Sequence, residues 1–507
     1  MSDLPAQPAD LVNGETKGPP CALAVYGASG DLTARKLLPA IAALQRHGQL
    51  DDRFGLIGVG RSALGDDGFR AHCRDAVPDG GDGWATLLEN ARWVQGDYGD
   101  PATAASLRAA FEAVEAERNT AGNRLIYLAS PPSTFGPVAG SLAAAGLGRA
   151  VDGGFTRLVV EKPFGTDGAS ARDLDIAMHA AVAEGDLYRI DHYLGKETVQ
   201  NILALRFANA IFEPVWDRRY VDHVQVTVAE SLGVGERAGF YEHAGALRDI
   251  VQNHLMQVLA VAAMEPPSSM DATGVRDEKV KALRSVRILE VDEVEQWAHR
   301  GQYDAGVVDG HEVLGYRQEE GVAPDSQTNT YVAAELELDS WRWAGVPFYI
   351  RTGKRMPRRV TEVAFTFKSV PHLAFPGRSA RGLHPNVLVV RIQPDEGISL
   401  RFGVKRPGGG FTLTDATMEF SYAESFGAGT RDAYERLLLD AMLGDPTLFI
   451  RSDEVAQAWK IVDPIARAWA GDCTNGPLPL HRYASGTWGP KEADRLLNDR
   501  GHRWATT

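Results

Sequence analysis

The chain has 507 residues, 44% of them hydrophobic and 24% charged, with a formal net charge of −14. That length exceeds one ordinary core and predicts two or three domains of a globular protein. The acidity argues against nucleic acid or an anionic membrane as partner, and no apolar run reaches the roughly 18 residues of a bilayer span.

Residues 1–20 hold Pro, Asp, Gly and Gln without the apolar core of a signal peptide, and read as a disordered tail. Cys21, Cys73 and Cys473 are far apart and show neither metal nor disulfide spacing, which fits a reducing cytoplasm. Strands are expected at 21–27, 54–60, 92–95, 125–129 and 158–160, with helical stretches between them, the first over 33–47. Their apolar runs are continuous, which suits a parallel sheet covered on both faces. Residues 21–200 therefore read as a doubly wound, Rossmann-type dinucleotide-binding domain, an α/β fold. Over 201–507 the strands alternate instead, at 223–230, 330–338, 348–351, 362–368, 387–393, 398–404 and 418–422. Short links between them predict a large, mainly antiparallel sheet with helices, an α+β domain. The last two helices are expected over 431–443 and 454–470, the latter broken by Pro464.

Gly27-Ala28-Ser29-Gly30-Asp31-Leu32 links the first strand to the first helix. This context suits a pyrophosphate at a helix N-terminus, although the third glycine of G-x-G-x-x-G is missing. A purely structural turn is the other reading. The second strand ends in Gly60-Arg61, where an acidic residue would signal NAD. Arg61, helped by Arg35 and Lys36, suits a 2′-phosphate and so NADP; otherwise it is a surface arginine. Lys162 ends the strand LVVEKP, at the edge where such sheets bind ligands.

Arg189–Glu197 (RIDHYLGKE) packs a carboxylate, an imidazole, a phenol and two cations into an expected turn between two helices. Gly245–Met264 is an amphipathic helix whose stripe of Leu247, Ile250, Val251, Val258 and Ala262 includes His254. That histidine is either a core imidazole or a general base. At about 100° per residue, Asp249 lies roughly 140° from it. Spacing leaves open whether both meet one ligand. The run Arg351-x-x-Lys354-Arg355-x-x-Arg358-Arg359 is either a local anion site in an acidic chain or an exposed basic loop.

Together with FEPVWDRRYVDHVQ, GALRDIVQNHLMQ, FYIRTGK, VRIQP and YERLLLDAMLGDPTLFIRSDEV, these stretches resemble the glucose-6-phosphate dehydrogenase family, in one order from residue 21 to about 490. The resemblance implies roles. His254 is the base that takes the proton of the sugar's C1 hydroxyl, and Asp191 orients that imidazole, as in a triad. His192, Tyr193 and Lys196 hold the phosphate, with Arg358 or Arg359 helping. Lys162, Glu230, Asp249, Lys354 and Gln393 contact the sugar. Gly27, Ser29, Gly30, Asp31, Leu32, Arg61, Asp97, Tyr98, Tyr127 and Lys162 face the cofactor. The implied reaction converts D-glucose 6-phosphate to 6-phosphogluconolactone with NADP, the entry step of the pentose phosphate pathway, in a cytoplasmic homodimer or homotetramer. No metal is needed for the hydride transfer. A second sugar oxidoreductase, or a silent regulator binding NADP and a sugar phosphate, are the competing readings. The first leaves HYLGK and the basic run unexplained; the second predicts loss of His254 or Asp191.

Overall fold

The computed structural model describes residues 16–150, 153–375, 383–408, 411–427, 431–474 and 476–505. It forms two compact units. The first gathers the chain to Phe164, Arg172–His192 and Arg431–Arg451; the second holds Gly165–Ala171, Tyr193–Thr430 and Ser452–Thr507. The units thus interleave along the chain rather than meeting at one boundary.

In the first unit the strands are β1 (Ala22–Tyr26), β2 (Gly55–Gly60), β3 (Arg92–Gln95), β4 (Arg124–Leu128), β5 (Thr156–Val160) and β6 (Leu187–Ile190). They lie in the order β3-β2-β1-β4-β5-β6, all parallel, and Phe449–Ile450 adds an antiparallel pair at the β6 edge. Chain order reverses between β1 and β4, so a crevice opens beyond their carboxyl ends. Every residue of β1 and β2 is buried, as continuous apolar strands require.

β6 corrects the expected turn around residue 189. Arg189 is only 4% exposed. Its guanidinium binds Glu184 at 2.8 Å and also reaches Asp175, so this cation is structural. The expected tail is described only at its end. Residues 1–15 lie outside the described residues, but Gly18 is buried and its N–H donates to the Gln49 carbonyl at 2.8 Å.

In the second unit the strands are β7 (Val221–Ala229), β8 (Ala298–Asp304), β9 (Gly306–Val308), β10 (His311–Val313), β11 (Tyr331–Glu337), β12 (Pro347–Gly353), β13 (Val360–Phe367), β14 (Val387–Gln393), β15 (Gly397–Lys405) and β16 (Leu413–Ser421). A nine-stranded sheet runs β16-β15-β14-β13-β7-β12-β11-β8 and ends on Leu480–Ala484; β9 and β10 form a separate hairpin. The sheet is mainly antiparallel, as expected. The exceptions are β7 with β12, and β8 with Leu480–Ala484.

Pro464 does not break its helix, which runs Ser452–Arg467. The hydrogen bond it cannot donate would have gone to Lys460, an exposed position. This helix carries Glu454, which pairs with Lys279 of helix Ala272–Arg284 at 2.9 Å, with side chains 0% and 1% exposed. Stripping one charge from such a pair strands the other in a low-dielectric interior. We therefore expect Glu454→Gln to destabilise the fold by about 3–5 kcal/mol in urea unfolding, and Lys279→Met/Glu454→Leu to lose less than that single variant.

Candidate active site

The carboxyl ends of the parallel strands hold the first group of predicted residues. Gly27 follows β1 with φ +85°, and a β-carbon there would sit 2.7 Å from the Ala129 carbonyl oxygen beyond β4. Glycine alone allows the two strand ends to approach at the switch point. The Gly27 carbonyl accepts from Gly30 N–H at 2.9 Å and from Thr33 Oγ1 at 3.1 Å, closing the turn. Ser29 and Asp31 are exposed on it, with Gly30 and Leu32 half-buried.

Arg61 is exposed beyond β2, its guanidinium 5.9 Å from the Tyr98 ring. Arg35 and Lys36 are engaged with acids, Asp31 at 2.6 Å and Asp432 at 2.8 Å. Asp97 is exposed beyond β3. Tyr127 departs from its expected cofactor contact. It is 0% exposed and its hydroxyl donates to Glu161 at 2.6 Å. Burial pushes the Glu161 carboxyl up, while hydrogen bonds from Tyr127 and Tyr434 oppose that shift. Lys162 follows, half-buried, and Asp191 (1% exposed) and His192 follow β6. The His192 ring lies nearly parallel to Tyr434, with centroids 6.5 Å apart.

In the second unit, Gly245 (φ +59°) interrupts the expected Gly245–Met264 helix. The helix proper begins at Leu247, is π-wound over Leu247–Leu255 and becomes α over Met256–Ala263. The Met256 N–H reaches back to the Val251 carbonyl, five residues away. The 140° estimate assumed an α-helix. In a π-turn the five-residue spacing does what four does in an α-turn, so Asp249 and His254 stack on one side. Both are buried.

Tyr193 stacks on His254, centroids 4.3 Å apart at 22°. Lys196 Nζ lies 3.9 Å from the Tyr193 ring centroid and donates to Gln393 Oε1 at 2.6 Å. Arg359 donates to the same oxygen at 3.0 Å. Gln393 is held in turn, its amide donating to Thr361 Oγ1 at 3.0 Å from the residue opposite it in the ladder. Two cations thus meet on one neutral oxygen. Arg358 lies over the Trp488 ring at 5.8 Å instead. Arg351 is no part of an anion site: it is 0% exposed, between Trp488 and Trp504 at 4.7 and 4.2 Å.

Nearby, Lys354 Nζ meets Glu230 at 2.7 Å, and Arg237 approaches Asp249 at 3.6 Å. An open cleft of about 390 Å³ is bordered by Glu230, Arg237, Tyr241 and Lys354. Arg237, Tyr241 and Thr361 were not singled out in the sequence. Thr361 would have needed the β13–β14 register, and no spacing marks the other two.

A doubly wound dinucleotide unit, in one chain with a sheet unit bearing an imidazole and clustered cations, defines a dinucleotide-dependent oxidoreductase. Two family models match, "Glucose-6-phosphate dehydrogenase, NAD binding domain" over residues 24–201 and "Glucose-6-phosphate dehydrogenase, C-terminal domain" over 203–505. The chain belongs to the glucose-6-phosphate dehydrogenase family. It is 46% identical over 493 residues to glucose-6-phosphate 1-dehydrogenase 2 of Mycobacterium tuberculosis, covering 96% of this chain and 94% of that one. It is 47% identical over 490 residues to glucose-6-phosphate 1-dehydrogenase of Aggregatibacter actinomycetemcomitans, covering 96% and 97%. Among solved structures, a glucose-6-phosphate dehydrogenase in complex with its substrate glucose-6-phosphate superposes with TM-score 0.87 at 33% identity, covering 97% and 99%. Glucose-6-phosphate 1-dehydrogenase from Mycobacterium avium gives 0.80 at 35% identity, covering 96% and 99%.

The Gly27 geometry gives a direct test. Gly27→Ala adds a β-carbon to a left-handed residue against the Ala129 carbonyl. We expect a loss of about 1–3 kcal/mol in urea unfolding, together with weakened dinucleotide binding in a fluorescence titration.

Proposed function

We propose that this chain oxidises the C1 hydroxyl of D-glucose 6-phosphate to 6-phospho-D-glucono-1,5-lactone, with NADP as hydride acceptor. The observation that carries the reading is the convergence of Lys196 and Arg359 on Gln393, beside a tyrosine that stacks on the buried His254. It supports an anion subsite beside an imidazole, which a dehydrogenase of a phosphorylated sugar requires and one of a neutral sugar does not. Between Arg358 and Arg359, the second is the phosphate ligand, since Arg358 is stacked on Trp488.

The residues fit the cofactor. The turn after β1 needs the bare backbone of Gly27, packed against Ala129 and Ser130, and it leads into a helix N-terminus, the context that suits a pyrophosphate. Arg61 is exposed at the end of β2, where a 2′-phosphate sits in such folds. NADP, when bound, supplies the acceptor for the hydride leaving C1.

His254 takes the proton of the C1 hydroxyl. Asp191 orients the ring and stabilises the imidazolium that forms. His192, Tyr193, Lys196 and Arg359 hold the phosphate. Lys162, Glu230, Asp249 and Lys354 fix the sugar hydroxyls. Among the described residues no helix is long and apolar enough to cross a membrane. A cytoplasmic homodimer or homotetramer, binding no nucleic acid, completes the reading.

His254→Asn keeps a hydrogen-bonding side chain but no base. We expect kcat to fall roughly 10²–10⁴-fold with glucose 6-phosphate still bound, and near-normal turnover would sink the assignment. Arg61→Ala should cost about 1.5–3 kcal/mol of NADP binding by titration and leave NAD almost unaffected. Equal losses for both cofactors would remove Arg61 from the 2′-phosphate. NADP and NAD reduction with glucose 6-phosphate, glucose and other sugar phosphates tests the substrate itself.

A further inference from the structure

Four described non-glycine residues have positive φ: Asn119 (54°), Ala121 (57°), Asp309 (50°) and Arg355 (52°). The first three are exposed turn residues, Asn119 ending helix Pro101–Arg118 and Asp309 between β9 and β10. Arg355 is different. It follows the wholly buried β12 and sits between Lys354, 6% exposed, and Met356, 0% exposed. A side chain in the left-handed region is strained, and it persists only where the surroundings over-determine the backbone.

The surroundings here do so. The Lys354 N–H donates to the Thr330 carbonyl at 3.0 Å, and the Lys354 carbonyl accepts from the Tyr483 hydroxyl at 2.7 Å. The Arg355 N–H donates to the Leu232 carbonyl at 3.2 Å, and its carbonyl accepts from Gly486 N–H at 2.7 Å. The Met356 N–H donates to the Glu230 carbonyl at 2.9 Å. Glu230 and Leu232 follow β7, while Tyr483 and Gly486 belong to the last sheet strand and its turn. The Arg355 guanidinium is paired with Glu319 at 3.5 Å. Glu319 also accepts from Gly235 N–H at 2.9 Å.

We propose that Arg355 is a positioning residue. Its left-handed backbone, clamped between the segment after β7 and the turn after Leu480–Ala484, aims the Lys354 ammonium at Glu230 and so at the sugar. The proposal rests on the glucose 6-phosphate reading and deepens it, for it makes the C-terminal strand a contributor to sugar recognition through the main chain. The backbone of Arg355, rather than its charge, is the functional part.

Three variants separate backbone from charge. Glycine adopts this φ without strain, valine is penalised there, and Tyr483→Phe removes one clamp. We expect Arg355→Gly to keep KM for glucose 6-phosphate within about twofold, with Arg355→Val raising it about tenfold and Tyr483→Phe about threefold, at unchanged KM for NADP. A second readout needs no turnover. Acetylation of Lys354 by acetic anhydride, followed by peptide mass spectrometry, should be faster in Arg355→Val and Tyr483→Phe than in the wild type or Arg355→Gly. If Arg355→Val does not fold, the Arg355→Gly and Tyr483→Phe pair decides. An Arg355→Gly variant with KM raised tenfold would give the role to the guanidinium and overturn the proposal. So would Tyr483→Phe with both KM and labelling at wild-type values. A wild type inactive on glucose 6-phosphate would remove the functional reading instead, and the labelling pattern would still report the clamp.

Discussion

One parallel pairing, β7 with β12, governs the candidate site of the second unit. In an antiparallel ladder, neighbouring carboxyl ends fall on opposite edges. Here Ala229 and Gly353 are partners at the ends of two parallel strands, so Glu230 and Lys354 leave the sheet side by side. β13, antiparallel to β7, begins at the same edge with Val360 opposite Ala229, and β14 ends there with Gln393 opposite Thr361. Glu230, Lys354, Arg359 and Gln393 therefore share one edge because of register alone. A parallel pair also demands a crossover connection, and the one from β7 to β12 contains the helix of His254. The same constraint gathers these polar side chains and creates the segment that carries the imidazole.

That helix is fixed at its far end by polar groups that the interior can ill afford to leave unmatched. Its last carbonyls have no intrahelical donor. The Trp216 indole donates to Ala262 at 2.9 Å and the Trp343 indole to Ala263 at 2.8 Å. Arg206, 0% exposed, donates to the Val261, Ala262 and Met264 carbonyls. Burial lowers the Arg206 pKa to about 10, which still leaves it cationic at neutral pH and opposite the negative end of the helix. With its C-terminus tied, the helix accommodates its irregular winding nearer the start, over Leu247–Leu255. This is the winding that stacks Asp249 on the side of His254.

Much of the fold was legible because the two sheets differ in hydrophobic pattern. Continuous runs marked β1, β2, β4 and β5, and alternation marked β7 and β11 to β16. The strands that escaped are short or polar. β8 reads AHRGQYD, Leu480–Ala484 reads LHRYA, and β6 offers four residues before a run of charge. The site was legible by residue type and local motif, and less so by geometry. Nothing in GALRDIVQNHLMQ announces an extra residue per turn, since π-winding leaves no signature that a 100° wheel detects. Tyr127 was set on the cofactor side by the family resemblance alone. Its buried hydroxyl instead donates to Glu161, whose orientation the sequence does not reveal.

The basic run from Arg351 to Arg359 shows why charge density alone is a poor guide to anion binding. Its five cations meet five different fates. Arg351 is enclosed between two indoles, Lys354 pairs with Glu230, Arg355 with Glu319, Arg358 lies over Trp488, and Arg359 binds a neutral amide. A cation facing a carboxylate has its field largely cancelled, whereas one facing a neutral oxygen keeps it. Lys196, from a stretch far away in sequence, meets the same Gln393 oxygen as Arg359. Lys196 and Arg359, far apart in sequence, thus share one amide oxygen. What sets Arg359 apart from Lys354 and Arg355 is therefore the neutrality of its partner Gln393, a residue without charge of its own.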